Sequence, residues 1–240
     1  MITGYEPKNK IEPFIVKNFF SEEEVAMLRA HIEDFRVREH TNPFYAPLLL
    51  EDMSRMQIEL IYPPMLRERL ERFASETVGE HVMMSHNSYL DYYGKYNVKT
   101  NPKLPPHVDS DNYYSKLTID YLLSKTIDWP IVIEGKPFNL EVGDLFVFWG
   151  AGQIHWRDPI ALAETDRVEV LTMHFSKFDD FMSLDKSSRE EDTRTERRNA
   201  WKAVPRMQEY MKDYFNRQEL IQLKKKAAYR ILPIGNKNNE

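Results

Sequence analysis

Three residues of this 240-residue chain have the types and spacing to hold a metal ion. The run Leu104-Pro105-Pro106-His107-Val108-Asp109 sets an imidazole and a carboxylate two residues apart. In an extended segment, residues i and i+2 point to the same face. The paired prolines favour an extended approach to His107. His107 and Asp109 can therefore reach one ion together. A third donor, His155, comes well downstream in Gly150-Ala151-Gly152-Gln153-Ile154-His155-Trp156. The interval has room for several strands, enough to carry the chain across a two-sheet structure and back. Each element alone is weak. An H-x-D pair recurs in surface loops, and His155 alone could be a histidine packed by Trp156. Together they form a triad.

Two imidazoles and one carboxylate on one triangular face leave about three positions of an octahedral metal open, the donor set of non-haem Fe(II) sites. The open positions suit a bidentate co-substrate and then O2. Arg167 opens an apolar segment after His155, and period-2 alternation puts Arg167, Glu169, Leu171, Met173 and Phe175 on one face. If that face turns into a barrel, the guanidinium needs an anion, and its fork fits a carboxylate. A salt bridge with Glu169 or Asp166 is the competing use of Arg167. Arg157 competes for the same anion, but two residues place it beside His155, close to the metal. His174 falls on the face opposite Arg167 and reads as a packed structural histidine, as do His81 and His86. Asp111 is the other possible carboxylate, though it lies far along an extended chain from His107.

The elements that must position these residues are visible in the pattern. Ser21 and Glu24 form a capping box, followed by Val25, Leu28, Ile32 and Phe35 on one helical face. Pro63-Pro64 opens a second helix with Leu66, Leu70, Phe73 and Val78, closed by Gly79. Strand-like runs then follow at Val82–Tyr93, Leu117–Leu123, Ile131–Ile133, Leu145–Trp149 and Val168–Phe175. Short strands with close turns predict a barrel or double-sheet jelly roll. Residues 1–183 are expected to form this α+β domain with its N-terminal helices. Residues 184–240 are expected to form a helical appendage ending in a disordered tail, which could pair two copies in a homodimer.

Composition narrows the rest. There is no cysteine, so the metal site must use His, Asp and Glu. The net charge of −5 does not suggest nucleic acid. No apolar run approaches the ~20 residues of a membrane span. No secretory signal is visible, so a cytoplasmic protein acting on a small-molecule substrate is expected.

The segment from Tyr89 to Phe175 resembles the 2-oxoglutarate/Fe(II)-dependent oxygenase superfamily, in its prolyl 4-hydroxylase-like branch. The matching residues are Tyr92 and Gly94; His107 and Asp109; Thr118, Tyr121 and Leu122; Gly143, Asp144 and Phe146 to Phe148; His155; Pro159; and Arg167. The resemblance implies a double-stranded β-helix, Fe(II), 2-oxoglutarate as co-substrate, O2, and release of succinate and CO2. It implies that His107, Asp109 and His155 hold the iron and that Arg167 anchors the distal carboxylate of 2-oxoglutarate. It puts Thr118 on the co-substrate side and a tyrosine beside it, Tyr92 in preference to Tyr89 or Tyr93. Related halogenases leave the carboxylate position empty, so Asp109 favours hydroxylation. Lys125 to Pro130 departs from the pattern, and substrate contacts there do not carry over. Trp149, Trp156, Tyr113 and Tyr114 are expected to wall the pocket. Two other readings remain: a cupin-like metal enzyme without 2-oxoglutarate, and a binding protein with a degenerate site.

Overall fold

The computed structural model describes residues 11–39, 48–50, 55–96, 102–109, 115–177, 209–214 and 216. A short strand β1 (Phe14–Val16) leads to the capping box, where Ser21 N–H donates to Glu24 Oε2 at 2.8 Å and Glu24 N–H donates to Ser21 Oγ at 3.2 Å. Helix α1 (Glu22–Glu39) follows, with Leu28 and Ile32 buried. Strands β2 (Leu48–Leu50) and β3 (Arg55–Ile58) come next, neither expected from the sequence. Helix α2 (Pro64–Val78) starts on proline, which has no N–H to lose at a helix start. It ends at Gly79, whose φ of 73° is a left-handed C-cap.

The remaining strands are β4 (Met83–Tyr93), β5 (Leu104–His107), β6 (Ser115–Lys125), β7 (Ile131–Ile133), β8 (Lys136–Phe138), β9 (Leu145–Phe148), β10 (His155–Arg157) and β11 (Arg167–Ser176). They form a large sheet in the order β1-β9-β6-β11-β4-β3-β2 and a small one in the order β5-β10-β7-β8. From β4 onward the chain alternates between the two sheets, the β7–β8 hairpin counting as one visit. All pairings are antiparallel. This is the expected jelly roll.

Three apolar clusters show which way each face points. Leu90, Tyr92, Leu122, Phe146, Phe148, Val168 and Val170 of the large sheet meet Ile131 and Ile133 of the small one, which defines the space between the sheets. Tyr89, Leu117, Ile119, Leu171, Met173 and Phe175 lie on the other face of the large sheet, against Leu28, Ile32, Leu66 and Leu70 of the helices. Val108, Val132, Ile154 and Trp156 cover the outside of the small sheet, where Tyr210, Met211 and Tyr214 pack on them. Residues 209–214 are thus a helical piece docked on the barrel. The rest of the expected appendage and tail lies outside the described residues, apart from helical residue 216. Among the described residues no helix is long and apolar enough to cross a membrane.

Candidate metal centre

His107 ends β5 and His155 begins β10, and the two are directly opposite in the antiparallel ladder. Their rings lie 4.1 Å apart, centroid to centroid. Asp109 follows β5 at once, and its backbone N–H donates to Gly150 O at 2.9 Å. Asp109 Oδ1 lies 3.6 Å from His107 Nε2 and 3.3 Å from His155 Nε2. Donors about 2.1 Å from an octahedral metal, at right angles, would stand about 3.0 Å apart. The triad is close to that spacing, and its donor atoms all lie within 4.8 Å of one another.

Both imidazoles are fixed in the tautomer that a metal needs. His107 Nδ1 lies 2.7 Å from Pro105 O, and His155 Nδ1 lies 3.0 Å from Gln153 O. A carbonyl only accepts, so each Nδ1 carries the proton. The Nδ1–H to carbonyl contact is the usual outer hydrogen bond of a ligating histidine, and it leaves each Nε2, on the Asp109 side, as the atom that would meet a metal. Desolvation among the strands and the nearby His155 depress the pKa of His107 to about 3. Burial opposes protonation of His155, but the Asp109 carboxylate overrides it and raises the pKa. Burial would raise Asp109, yet the surrounding histidines, His155 foremost, hold it well below the usual carboxylate range. A neutral His107 and an ionised Asp109 are the forms that bind metal.

The second oxygen of Asp109 is held from below. Thr118 Oγ1 donates to Asp109 Oδ2 at 3.2 Å and accepts the Gly150 N–H at 3.2 Å. His174 Nδ1 lies 3.3 Å from Thr118 Oγ1 and 3.6 Å from Asp109 Oδ2, and the His174 ring stacks on His86. A Cβ on Gly150 would stand 1.8 Å from Asp109 Oδ2, so only glycine lets the carboxylate sit there. Thr118 is therefore a support for Asp109. His174 faces the triad and does more than pack. The sequence pattern had put it on the correct strand face but had turned that face outward.

The same inversion moves Arg167. Val168 and Val170 point between the sheets, so Arg167 and Glu169 point to the helix-covered side. There Arg167 Nε and Nη2 each donate to an Asp91 oxygen at 2.8 Å, and Nη2 also reaches Glu169 at 3.3 Å. The hydrogen-bonded Asp91 raises its pKa further. The expectation that Arg167 faces into the barrel is not met, because a bidentate partner answers its fork outside.

Arg157, and not Arg167, faces the space between the sheets. It lies two residues after His155 on β10, on the face opposite Trp156, and is 3% exposed. Nη1 donates to Trp129 O, and the guanidinium sits 5.3 Å from the centre of the Trp129 ring. Nη2 is buried and has no partner among the described residues. Burial lowers its pKa, and Asp120 on the inner face of β6 opposes this. Its proximity to His155 does not disqualify it. Two strand residues separate Cα atoms by about 6.6 Å, comparable to the length of a five-carbon diacid. Tyr92 also lies on the inner face, edge-on to Trp129 at 4.8 Å, and its hydroxyl accepts from Arg55 Nη1 at 3.0 Å. Trp156 lies outside, against Tyr210. Tyr113, Tyr114 and Asp111 are outside the described residues.

No protein-family model matches the chain, and no curated protein matches it. Solved structures do. EctD from S. alaskensis aligns with a TM-score of 0.52 at 14% identity, over 69% of this chain and 72% of its own, and was solved with iron bound. The 2-oxoglutarate-dependent epimerase SnoN from nogalamycin biosynthesis, solved with Fe3+ and 2-oxoglutarate, aligns with a TM-score of 0.53 at 13% identity, over 69% of this chain and 78% of its own. AviO1 from Streptomyces viridochromogenes Tue57 gives 0.52 at 13% identity, over 70% and 91%. At such identities the likeness establishes a shared fold.

Proposed function

We propose that this chain is an Fe(II)- and 2-oxoglutarate-dependent oxygenase that hydroxylates a small molecule and releases succinate and CO2. The observation that carries the reading is the pairing, inside one barrel, of a preset His107–Asp109–His155 triad with a buried, incompletely partnered Arg157. When bound, the ferrous ion and 2-oxoglutarate would supply O2 activation coupled to oxidative decarboxylation.

The protein's own part is positional. His107, Asp109 and His155 hold the metal on one face, and Thr118 with Gly150 fixes the carboxylate. Arg157 takes the distal carboxylate of the co-substrate through Nη2, a charge-assisted bond in a dry setting. Phe146, Phe148, Val168, Val170, Ile131 and Ile133 keep water from the space between the sheets. The net charge of −5 supports a small molecule over nucleic acid.

Anaerobic addition of Fe(II) and then 2-oxoglutarate tests this directly. A weak visible charge-transfer band is expected, and His155→Ala should abolish it. Metal binding without the band would instead favour a metal enzyme that does not use 2-oxoglutarate. No metal binding would leave a scaffold.

A further inference from the structure

A second guanidinium lies on the inner side of the large sheet. In the β3–β4 pairing, Gln57 is opposite Leu90 and Met56 is opposite Asp91. That register puts Arg55 and Gln57 on the face of Leu90 and Tyr92, while Ile58 and Met56 join the helix-covered core. Arg55 Nη1 donates to Tyr92 Oη at 3.0 Å, and Nη2 donates to Gln57 Oε1 at 3.1 Å. Gln57 Nε2 donates onward to Ser88 Oγ at 2.9 Å, which lies 3.3 Å from His86 Nε2. Arg55's own hydrogen-bond partners are both uncharged groups. Arg55 Nε is buried with no partner, and the guanidinium makes no ion pair with a carboxylate among the described residues.

A cation braced only by neutral groups lacks a counter-ion. Its position says where the anion comes from. β5 is the outer strand of the small sheet, and the His107 side chain on it is 35% exposed, so the site opens along this margin. Arg157, by contrast, is sealed deep in the barrel. The two cations thus differ in depth, and Arg55 is the one nearer the open margin.

We propose that Arg55, braced by Gln57 and Tyr92, receives a carboxylate of the substrate, so that the molecule oxidised here is a small carboxylic acid. This deepens the oxygenase reading and rests on it. The side of a guanidinium that presents Nε with an Nη matches a planar carboxylate.

The test uses the full chain, loaded anaerobically with Fe(II) and 2-oxoglutarate. It is titrated with small carboxylic acids, their methyl esters and phosphate monoesters. The readouts are perturbation of the visible band and, after O2 is admitted, succinate. Acids should perturb the band at concentrations at which their esters do not. Arg55→Gln should raise the half-saturation for those acids roughly 10- to 100-fold and leave the half-saturation for 2-oxoglutarate in place. Arg55→Lys, which keeps charge without the fork, should fall between. If Arg55→Gln does not fold by circular dichroism, the acid-against-ester comparison on the unaltered protein decides alone. The proposal is overturned if no acid perturbs the band, if esters or phosphate monoesters match the acids, or if Arg55→Gln weakens 2-oxoglutarate instead. Failure of the wild-type band to form is a different result, and it removes the oxygenase reading itself.

Discussion

Arg157 and Arg167 sit on consecutive strands, one facing the space between the sheets and the other facing the helices. Arg167 is answered on every side that matters. Asp91 takes two of its N–H groups, and Glu169 and the Tyr89 hydroxyl stand within reach. Its side chain is 29% exposed, which leaves its remaining N–H groups open to solvent. Among the described residues Arg157 has a carbonyl, an aromatic face, the field of Asp120 and a buried Nη2 without a hydrogen-bond partner. An arginine that structure has already satisfied fastens the fold. One that structure has sealed in and left short is available to a ligand. The difference lies in what each residue's surroundings leave unanswered.

Exchanging the two substitutions gives the sharpest test. Arg157→Gln should raise the 2-oxoglutarate half-saturation by about 100-fold, the scale of losing a desolvated charge-assisted contact. Arg167→Gln should leave that half-saturation in place and lower unfolding stability by about 1–3 kcal/mol, between an exposed and a buried ion pair. Band titration measures the first and denaturant unfolding the second. The reverse pattern would restore Arg167 as the anchor and break the contrast.

The sequence carried the triad because it needs only local rules. A two-residue spacing on an extended segment puts His107 and Asp109 on one face wherever that segment lies. It also carried both helices, through Ser21, Glu24, Pro64 and Gly79, and most strands of the large sheet. It did not carry the direction of the β11 faces. Alternation separates Arg167 from Val168 but cannot say which set looks inward. Both sets are apolar here, because α1 and α2 cover the outer face and bury Leu171, Met173 and Phe175. A sheet with two buried faces loses the polar-out signal that would orient it. The roles of Arg167 and His174 depended on that orientation, while Arg157 was set aside for its nearness to His155. β3 was missed as well, since four residues, Arg-Met-Gln-Ile, give little pattern.

A smaller effect tests how tightly the inner face is built. Gly150→Ala would press a methyl group against Asp109 Oδ2 and, at 2.5 Å, against Thr118 Oγ1. The backbone of Gly150 is not in the left-handed region, so the substitution strains the carboxylate and not the turn. Fe(II) affinity should fall roughly 10- to 100-fold, as for other changes in the groups that support metal ligands, with little loss of unfolding stability. Competition against a metal indicator reads this. Unchanged affinity would mean that the Gly150–Thr118 cradle is incidental.

The last effect is smaller and separates the two faces by pH. Desolvation is the first cause that depresses His107 to about 3 and His174 to about 4, while in the unfolded chain a histidine titrates near about 6.5. Between those values the unfolded chain binds protons that the folded chain refuses. Their contribution to the stability of the metal-free protein is therefore full above about pH 6.5 and falls as pH drops toward about 4. His155 works the other way: Asp109 raises its pKa, so its contribution is present at low pH and lost as pH rises through the raised value. The share carried by His107 and His174 falls on acidification, and each kcal/mol of it is worth about 2–4 °C of melting temperature in a chain of this size. His174→Asn removes one of the two and should flatten the slope. Arg167 does not titrate in this window, so Arg167→Gln should lower the whole curve and keep its slope. A parallel shift for His174→Asn, or a flattened curve for Arg167→Gln, would mean that the proton-excluding groups are not on the face that looks at the triad.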